Sequence, residues 1–324
     1  MLAIGKDEVQ ELLTIKSCMK VLEAVLADLT RNEAIQELRS VFPIEQGNVL
    51  GQMPGYWKRE KVVGTKIITV YAENNKNGLP SHQGAVLVFD SITGRLKAIV
   101  DGEKITAIRT AAVSAIATNH LARENSEIVS ILGTGEQARS HLEAMLLVRP
   151  IKQVKVWGHT KEKALLFQEE MVQKFKVPIQ VCDSVKEAVY DADIICTVTA
   201  SKVPILKGDW VKAGSHVNAV GACQPNDREL DTDLVKKSKF YVDRLESAIN
   251  ESGDFLIPLK EGVIAQTHII GEIGELLTKQ IEGRKSEISI TIFESLGLAI
   301  EDLAAANFIY QEAVRLNKGT EISI

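Results

Sequence analysis

Glu127-Ile-Val-Ser-Ile-Leu132 runs directly into Gly133-Thr-Gly135-Glu-Gln-Ala138, and this stretch decides the fold. The first half is apolar and β-branched, which is typical of a buried parallel strand. Gly133 permits a sharp turn, Gly135 lets the backbone approach a phosphate, and Ala138 lets a new helix pack closely on the strand. A plain structural turn is the alternative interpretation. The strand before it and the helix after it favour a dinucleotide-binding turn.

The amino end of that helix offers free N–H groups and the positive end of the helix dipole to phosphates. The residue type at the end of the second strand predicts the choice between NAD and NADP, because an acidic residue there would hydrogen-bond the ribose 2′-OH of NAD. This chain has Trp157-Gly-His159-Thr160-Lys161 at that point, with no acid before Glu162. These residues could hold a 2′-phosphate, so we expect NADPH, with NADH as the alternative. The predicted phosphate and ribose contacts are Gly133, Thr134, Gly135, Glu136, Gln137, Ala138, His159, Thr160 and Lys161.

Composition narrows the class of protein. The 324 residues suffice for about two domains. The net charge of −5, without a dense basic block, argues against nucleic acid as the main partner. Four scattered cysteines and the lack of paired histidines predict reduced thiols and no metal site. No apolar run is long enough for a bilayer or suited to a signal peptide, so we expect a cytoplasmic protein without membrane association.

The pattern along the chain changes at Glu127. Before it, strand-like segments such as Val62–Tyr71 and a hairpin turn at Asp90–Gly94 predict a mixed sheet covered by helices. After it, strand and helix alternate, which predicts a doubly wound parallel sheet of the Rossmann type. The expected class is therefore α/β with a smaller α+β domain. We predict domains at 1–115 and 116–298, with helix 299–324 returning to the first and helix Glu103–Ala122 passing between them.

Two cations lie in segments where charge is costly. Arg109 is the only charged residue between Lys104 and Arg123, in a helix of small side chains, and must find an anion or carbonyl groups. Two interpretations meet this requirement of Arg109: a structural ion pair within the protein, or a bound ligand that carries a carboxylate or a pyrophosphate. Lys66 lies on the same strand face as apolar residues, so it could bind a carboxylate or transfer a proton. An edge-strand lysine that discourages aggregation is the alternative.

These motifs resemble the ornithine cyclodeaminase/μ-crystallin family, and its ketimine reductase branch most closely. The matching stretches span about Arg39 to Tyr310 and include Pro80-Ser-His-Gln83, Asn218-Ala-Val-Gly221, Glu251-Ser-Gly-Asp254 and Phe293-Glu-Ser-Leu-Gly297. The resemblance implies a homodimer with a dinucleotide-binding domain and a separate dimerising, substrate-holding domain. It implies that Arg39, Lys66 and Arg109 hold a substrate carboxylate, Lys66 and Arg109 in catalytic roles, with Glu251 as a pocket carboxylate. Cofactor contacts are further expected at Ser81, His82, Arg109, Thr110, Thr197, Val220 and Ser295.

The sequence departs from the cyclodeaminase pattern at Cys223. Cyclodeaminases and alanine dehydrogenases of the family place an aspartate there, and ammonia loss without that carboxylate lacks its usual base. We therefore expect an NAD(P)H-dependent reductase of cyclic ketimine carboxylates, acting on a small anionic substrate. Cys223 itself is expected to line the pocket. The alternatives are an amino-acid dehydrogenase, an ornithine cyclodeaminase, or a non-catalytic protein that binds NADPH and a small ligand such as thyroid hormone.

Overall fold

The computed structural model describes residues 1–71, 73–74 and 78–323. The chain divides into two compact units: unit 1 is Met1–Arg109 with Gly297–Ile324, and unit 2 is Thr110–Leu296. The first division falls inside helix α3 (Gly102–Leu121). The sequence analysis placed the boundaries a few residues later, after 115 and 298. Ile324, the end of the predicted returning segment, lies outside the described residues.

Unit 1 is built on a mixed sheet. Strand β1 pairs with β7 in parallel and the other pairs are antiparallel, so the prediction of a mixed sheet is confirmed. The hairpin at Asp90 forms as predicted, since the Asp90 carboxylate accepts the N–H groups of Ile92 and Thr93. The order is β16-β1-β7-β6-β5-β4-β2, with β3 beside β4. The strands are β1 (Leu2–Ile4), β2 (Ala34–Gln36), β3 (Ser40–Pro43), β4 (Val49–Trp57), β5 (Val62–Val70), β6 (His82–Asp90), β7 (Leu96–Asp101) and β16 (Thr320–Glu321).

Three helices complete unit 1 beside the start of α3: α1 (Lys6–Leu12), α2 (Ile15–Thr30) and α11 (Ala299–Leu316). Helix α11 packs against α2 and against β4, β5 and β6. The approach to β5 is close, because a Cβ on Gly64 would lie 2.7 Å from the Leu303 Cδ1 atom. The last helix of the chain therefore lies directly on the sheet face that carries Lys66.

Unit 2 is a parallel sheet with the order β10-β9-β8-β11-β12-β15-β13-β14, and the predicted Rossmann architecture is confirmed. Its strands are β8 (Ile128–Leu132), β9 (Gln153–Trp157), β10 (Ile179–Val181), β11 (Ile194–Thr197), β12 (His216–Ala219), β13 (Lys239–Val242), β14 (Ile269–Glu272) and β15 (Thr291–Glu294). Its helices after α3 are α4 (Glu136–Val148), α5 (Lys161–Phe175), α6 (Val185–Val189), α7 (Thr232–Lys237), α8 (Leu245–Glu251), α9 (Gly253–Lys260) and α10 (Ile273–Leu277).

One strand prediction was wrong at its start. Apolar residues predict a strand over Ile288–Phe293, but β15 begins only at Thr291, and Ile288 is 75% exposed. The Arg284 guanidinium explains the difference, because its Nη1 donates to the carbonyl groups of Ser286 and Ser289. Those bonds hold the segment as a loop. Within the described residues, no helix is long and apolar enough to cross a membrane.

Candidate active site

Lys66 lies on β5, opposite Met53 of β4 and Val86 of β6, and its side chain is only 3% exposed. Its Nζ donates to the Thr106 Oγ1 at 2.6 Å and to the Asp302 Oδ1 at 3.1 Å. Burial lowers the pKa of Lys66 to about 8, although the Asp302 charge opposes that shift. The alternative of an edge-strand lysine is wrong, because β5 is interior to the sheet.

Arg109 forms a buried ion pair, the first of the two interpretations of its sequence environment. Its Nε donates to the Asp302 Oδ1 at 3.1 Å and its Nη1 donates to the Glu301 Oε2 at 3.0 Å. Burial alone would raise the pKa of Asp302, but Arg109 and Lys66 together hold it below its usual value. Neither carboxylate is among the site residues that the sequence predicts. The sequence did contain a signal for these carboxylates. Glu301 and Asp302 are an acidic pair in the otherwise apolar start of α11, just as Arg109 is a lone charge in an apolar part of α3.

Arg39 joins these groups through Gly297, whose carbonyl oxygen accepts a hydrogen bond from the Arg39 Nη2 at 3.2 Å. Arg39 is near enough to Lys66 for its charge to lower the pKa of that lysine. We call Arg39, Lys66, Arg109, Glu301 and Asp302 the charge cluster. Three cations here face two carboxylates, so one positive charge is in excess among the five side chains. Four of the five side chains are buried and Arg39 is partly buried, and a positive excess in such surroundings is suited to an anionic ligand.

The glycine turn of unit 2 has two glycines with different constraints. Gly133 has φ of +128°, and a Cβ there would lie 2.7 Å from the Val198 carbonyl oxygen, so the fold itself requires glycine. Gly135 has an ordinary φ of −82°, and a Cβ there would meet nothing within 4 Å. Gly135 therefore faces open space at the amino end of α4, where a phosphate could approach. Ala138 is fully buried beneath it.

Other predicted cofactor residues lie at the carboxyl ends of neighbouring strands in unit 2. Thr197 ends β11, Val220 follows β12, and Ser295 follows β15. The Ser295 N–H donates to the Ala219 carbonyl at 2.8 Å, and the buried Ser295 Oγ has no hydrogen-bond partner among the described residues. Thr110, the first residue of unit 2, is also buried. Carboxyl ends of parallel strands are where open α/β sheets bind ligands.

Lys161, the first residue of α5 after β9, forms an ion pair with Asp183. The Lys161 Nζ donates to the Asp183 Oδ1 at 2.6 Å, and both side chains are exposed. Thr160 precedes α5 as its N-cap without a side-chain capping bond, and His159 is exposed. These groups could contact a ribose phosphate, with Asp183 competing for the lysine.

The remaining predicted residues fall in both units. In unit 1, the Ser81 Oγ lies 2.9 Å from the His82 Nδ1, and desolvation and the Lys66 charge lower the pKa of His82. In unit 2, Glu251 ends α8, and the Cys223 Sγ donates to the Val220 carbonyl at 3.5 Å. Cys18, Cys182, Cys196 and Cys223 form no disulfide bond. Over residues 1–71, 73–74 and 78–323, no group of three metal-ligating side chains comes together.

A model of the ornithine cyclodeaminase/mu-crystallin family matches residues 3–317. This chain belongs to that family. It is 42% identical over 314 residues to the ketimine reductase mu-crystallin of Rattus norvegicus, covering 95% of this chain and 96% of that protein. It is 35% identical over 325 residues to a Δ1-pyrroline-2-carboxylate reductase of Bacillus cereus, covering 99% of both. The family prediction is confirmed.

The fold agrees with a solved relative. The structure of the Thermococcus litoralis Δ1-pyrroline-2-carboxylate reductase, in complex with NADH and L-proline, superposes with a TM-score of 0.97 at 37% identity. The comparison covers 99% of this chain and 100% of that one. The predicted fold class is therefore confirmed over nearly the whole chain.

Proposed function

We propose that this chain reduces cyclic ketimine carboxylates of the pyrroline-2-carboxylate or piperideine-2-carboxylate type to cyclic L-amino acids, with NADPH as the preferred reductant. The chain is a nicotinamide-dependent oxidoreductase acting on C=N bonds, like the reductases that it matches. The observation that carries the finer proposal is the charge cluster, in which the buried Lys66 and Arg109 and the partly buried Arg39 lie together. A cyclic ketimine carboxylate supplies an anion of the kind that the two guanidinium groups and the ammonium group of this cluster bind well.

The residues of unit 2 fit a dinucleotide. Gly135 leaves space beside a helix amino end, and the buried Ser295 Oγ lacks a partner among the described residues. When bound, the nicotinamide supplies the hydride. We assign phosphate contact to the turn Gly133–Ala138, ribose phosphate contact to His159, Thr160 and Lys161, and nicotinamide contact to Ser295. Lys161 is the residue whose charge favours NADPH over NADH.

The charge cluster supports carboxylate binding and proton control. Arg39 and Arg109 are guanidinium groups, whose planar fork matches a carboxylate. Lys66 has three N–H donors, and Thr106 and Asp302 accept two of them. We assign its third donor to the substrate, where it would hold a proton near the imine nitrogen. Burial makes each of these contacts stronger than it would be in water.

The proposed reaction is tested by NADPH and NADH oxidation with a panel of cyclic ketimine carboxylates of different ring size. We expect turnover of at least one ring size and a higher kcat/KM with NADPH. Tight NADPH binding without oxidation by any cyclic imine would contradict the reductase assignment. Equal rates with both cofactors would contradict the NADPH preference alone. Ammonia release from ornithine, with or without NADH formation, would instead identify a dehydrogenase or cyclodeaminase.

A pH profile tests the assignment of Lys66. Because burial lowers the pKa of Lys66 to about 8, the protonated form that binds the carboxylate is lost above that pH. We expect kcat/KM to be level below pH 8 and to fall about tenfold per pH unit above it. In Lys66→Arg the group stays protonated, so its alkaline limb should move upward. An identical alkaline limb in both proteins would assign the titration to another group.

The glycine turn gives a second prediction. Gly135→Ala places a methyl group where no protein atom lies within 4 Å, so the fold should tolerate it. We expect the Kd for NADPH to rise about tenfold, because the methyl group occupies the space assigned to the phosphates. Binding is measured by titrating NADPH fluorescence. Gly133→Ala is the comparison variant, since alanine at that position should clearly lower the Tm. An unchanged Kd for NADPH in Gly135→Ala would contradict the contact assigned between Gly135 and the phosphates.

The proposal also includes a homodimer and a cytoplasmic location. Unit 1 would supply dimerisation together with carboxylate binding, as the family resemblance implies. Exposed apolar side chains on β3, including Val41 and Phe42, are compatible with a subunit contact. Light scattering during size-exclusion chromatography tests the dimer directly, and a monomeric mass at micromolar concentration would contradict it.

A further inference from the structure

Three hydrogen-bond donors converge on the buried carboxylate of Glu229, a residue of the segment that connects β12 to α7 in the chain. Its Oε1 accepts the Thr199 N–H at 2.8 Å and the Thr199 hydroxyl at 2.5 Å. Its Oε2 accepts the Gly221 N–H at 2.9 Å. Glu229 has no exposed surface. One carboxylate therefore ties together two segments that are distant from each other in sequence.

Those two segments are the loops that follow adjacent parallel strands. Thr199 comes two residues after β11 and Gly221 two residues after β12. They are in close contact, because a Cβ on Gly221 would lie 2.1 Å from the Thr199 carbonyl oxygen and 2.5 Å from the Glu229 Oε2. The carboxylate thus holds both loops at the carboxyl ends of β11 and β12, where Thr197 and Val220 lie.

The first of these loops also packs against the dinucleotide turn. The Val198 N–H donates to the Leu132 carbonyl at 2.9 Å, and the Val198 carbonyl oxygen is the atom that would meet a Cβ on Gly133. A displacement of Thr199 would therefore move the backbone that packs on the turn. The path from Glu229 to the turn runs through two adjacent residues, Thr199 and Val198.

The surroundings of Glu229 keep it in place. The Asp254 Oδ1 accepts the N–H groups of Glu229 and Leu230 at 3.0 and 2.7 Å. Burial raises the pKa of Glu229, whereas its bonds from Thr199 and Gly221 favour the ionised form. Burying a carboxylate is costly. The three donors provide a structural reason for placing one here.

We propose that Glu229 is a positioning residue of the cofactor site: its carboxylate sets the positions of the strand-end loops at Thr199 and Gly221, and through Val198 that of the glycine turn. This inference rests on the proposed function, because it assumes that the turn binds NAD(P)H. Glu229 itself contacts neither substrate nor cofactor in this assignment.

Glu229→Gln tests the inference with little change in side-chain volume. The amide nitrogen must face either Thr199 or Gly221, where the present carboxylate oxygen accepts a hydrogen bond. We expect the Kd and KM for NADPH to rise about tenfold, because a buried donor then loses its acceptor. The kcat at saturating NADPH should stay within about threefold and the KM for the imine within about twofold, since the charge cluster is untouched.

Asp193→Asn is a control for general destabilisation in the same sheet, and it also removes the charge that pairs with Arg123 and Lys212. The Asp193 Oδ2 also accepts two backbone N–H groups, from Glu127 and Ile128 at 2.8 and 3.0 Å, but it precedes β11 and so lies at the amino ends of the strands. We expect this variant to lose thermal stability while its Kd for NADPH stays unchanged. An equal rise of Kd in Asp193→Asn would overturn the inference, because general destabilisation would then explain the effect.

Thr199→Val provides a milder second variant if Glu229→Gln fails to fold. It removes one hydroxyl donor to Glu229 and keeps the Thr199 N–H, so we expect a rise of about threefold in the Kd for NADPH. If neither Glu229→Gln nor Thr199→Val, whichever of them folds, changes the Kd for NADPH, the inference is overturned and the proposed function is left intact. Failure of the unmodified protein to bind NADPH or NADH would overturn the proposed function, and this inference with it.

Discussion

Lys66→Met should lower kcat/KM for the cyclic imine by about 10³-fold, the largest effect that we expect from one substitution. Methionine preserves most of the side-chain volume but removes the buried ammonium group that is assigned to the substrate. Arg109 still faces Asp302, so the carboxylates of the charge cluster keep a counter-charge. Circular dichroism and a thermal melt should show a folded protein, and steady-state kinetics measure the loss.

Lys97→Met is the matched control for that experiment. Lys97 lies on β7 of the same sheet, with its Nζ 5.0 Å from the centre of the Tyr310 ring, and has no assigned role. We expect its kcat/KM to stay within about twofold of the unmodified protein. Turnover close to the unmodified rate in a folded Lys66→Met protein would overturn the assignment of Lys66 to the substrate.

Gly297→Ala should lower kcat/KM by about 100-fold, the second largest effect, because a small misplacement of binding groups is costly for catalysis. A Cβ at this position would lie 2.7 Å from the Arg109 Nη1 and 2.8 Å from its Nη2, so the guanidinium must move. The Gly297 carbonyl also holds Arg39. One methyl group would thus displace Arg109, and any shift of the strained Gly297 backbone would also move the carbonyl that holds Arg39.

Gly94→Ala is the control that distinguishes the effect of backbone strain at Gly297 from the effect of displacing the guanidinium group. Gly297 has φ of +83° and Gly94 has φ of +71°, so alanine is strained at both, by about 1–2 kcal/mol. A Cβ on Gly94 meets nothing within 4 Å. We expect both variants to lose similar stability and only Gly297→Ala to lose activity. An equal effect on kcat/KM in the two variants would show that strain alone is responsible.

The sequence predicts the fold of unit 2 well because its signals are local. The β-branched run before Gly133 and the glycine turn itself lie within one short stretch. In unit 1 the signals are weaker: β4 contains Gly51, Pro54 and Gly55, which interrupt the alternation of a strand, and the sequence analysis did not predict it. Its pairing with β5 and β3 stabilises it regardless of local propensity.

The candidate site was predictable only in part. Lys66 and Arg109 stand out because each is a lone charge in an apolar segment. Their partners Glu301 and Asp302 come from the far end of the chain, and no spacing rule connects residues so distant in sequence. The role that we propose for Glu229 likewise cannot be predicted from the sequence, since it depends on which strands are neighbours in the sheet. Such charge partners are determined by topology.

The placement of Glu301 and Asp302 on the last helix has a consequence for the order of biosynthesis. Unit 2 is one continuous segment, whereas unit 1 is completed only by the residues from Gly297 onward. A chain emerging from the ribosome therefore presents all of unit 2 before Lys66 and Arg109 have their carboxylates. Domains usually fold as units during synthesis. Unit 2 can thus fold first, and Lys66 and Arg109 can be buried with their carboxylates only after helix α11 has been synthesised.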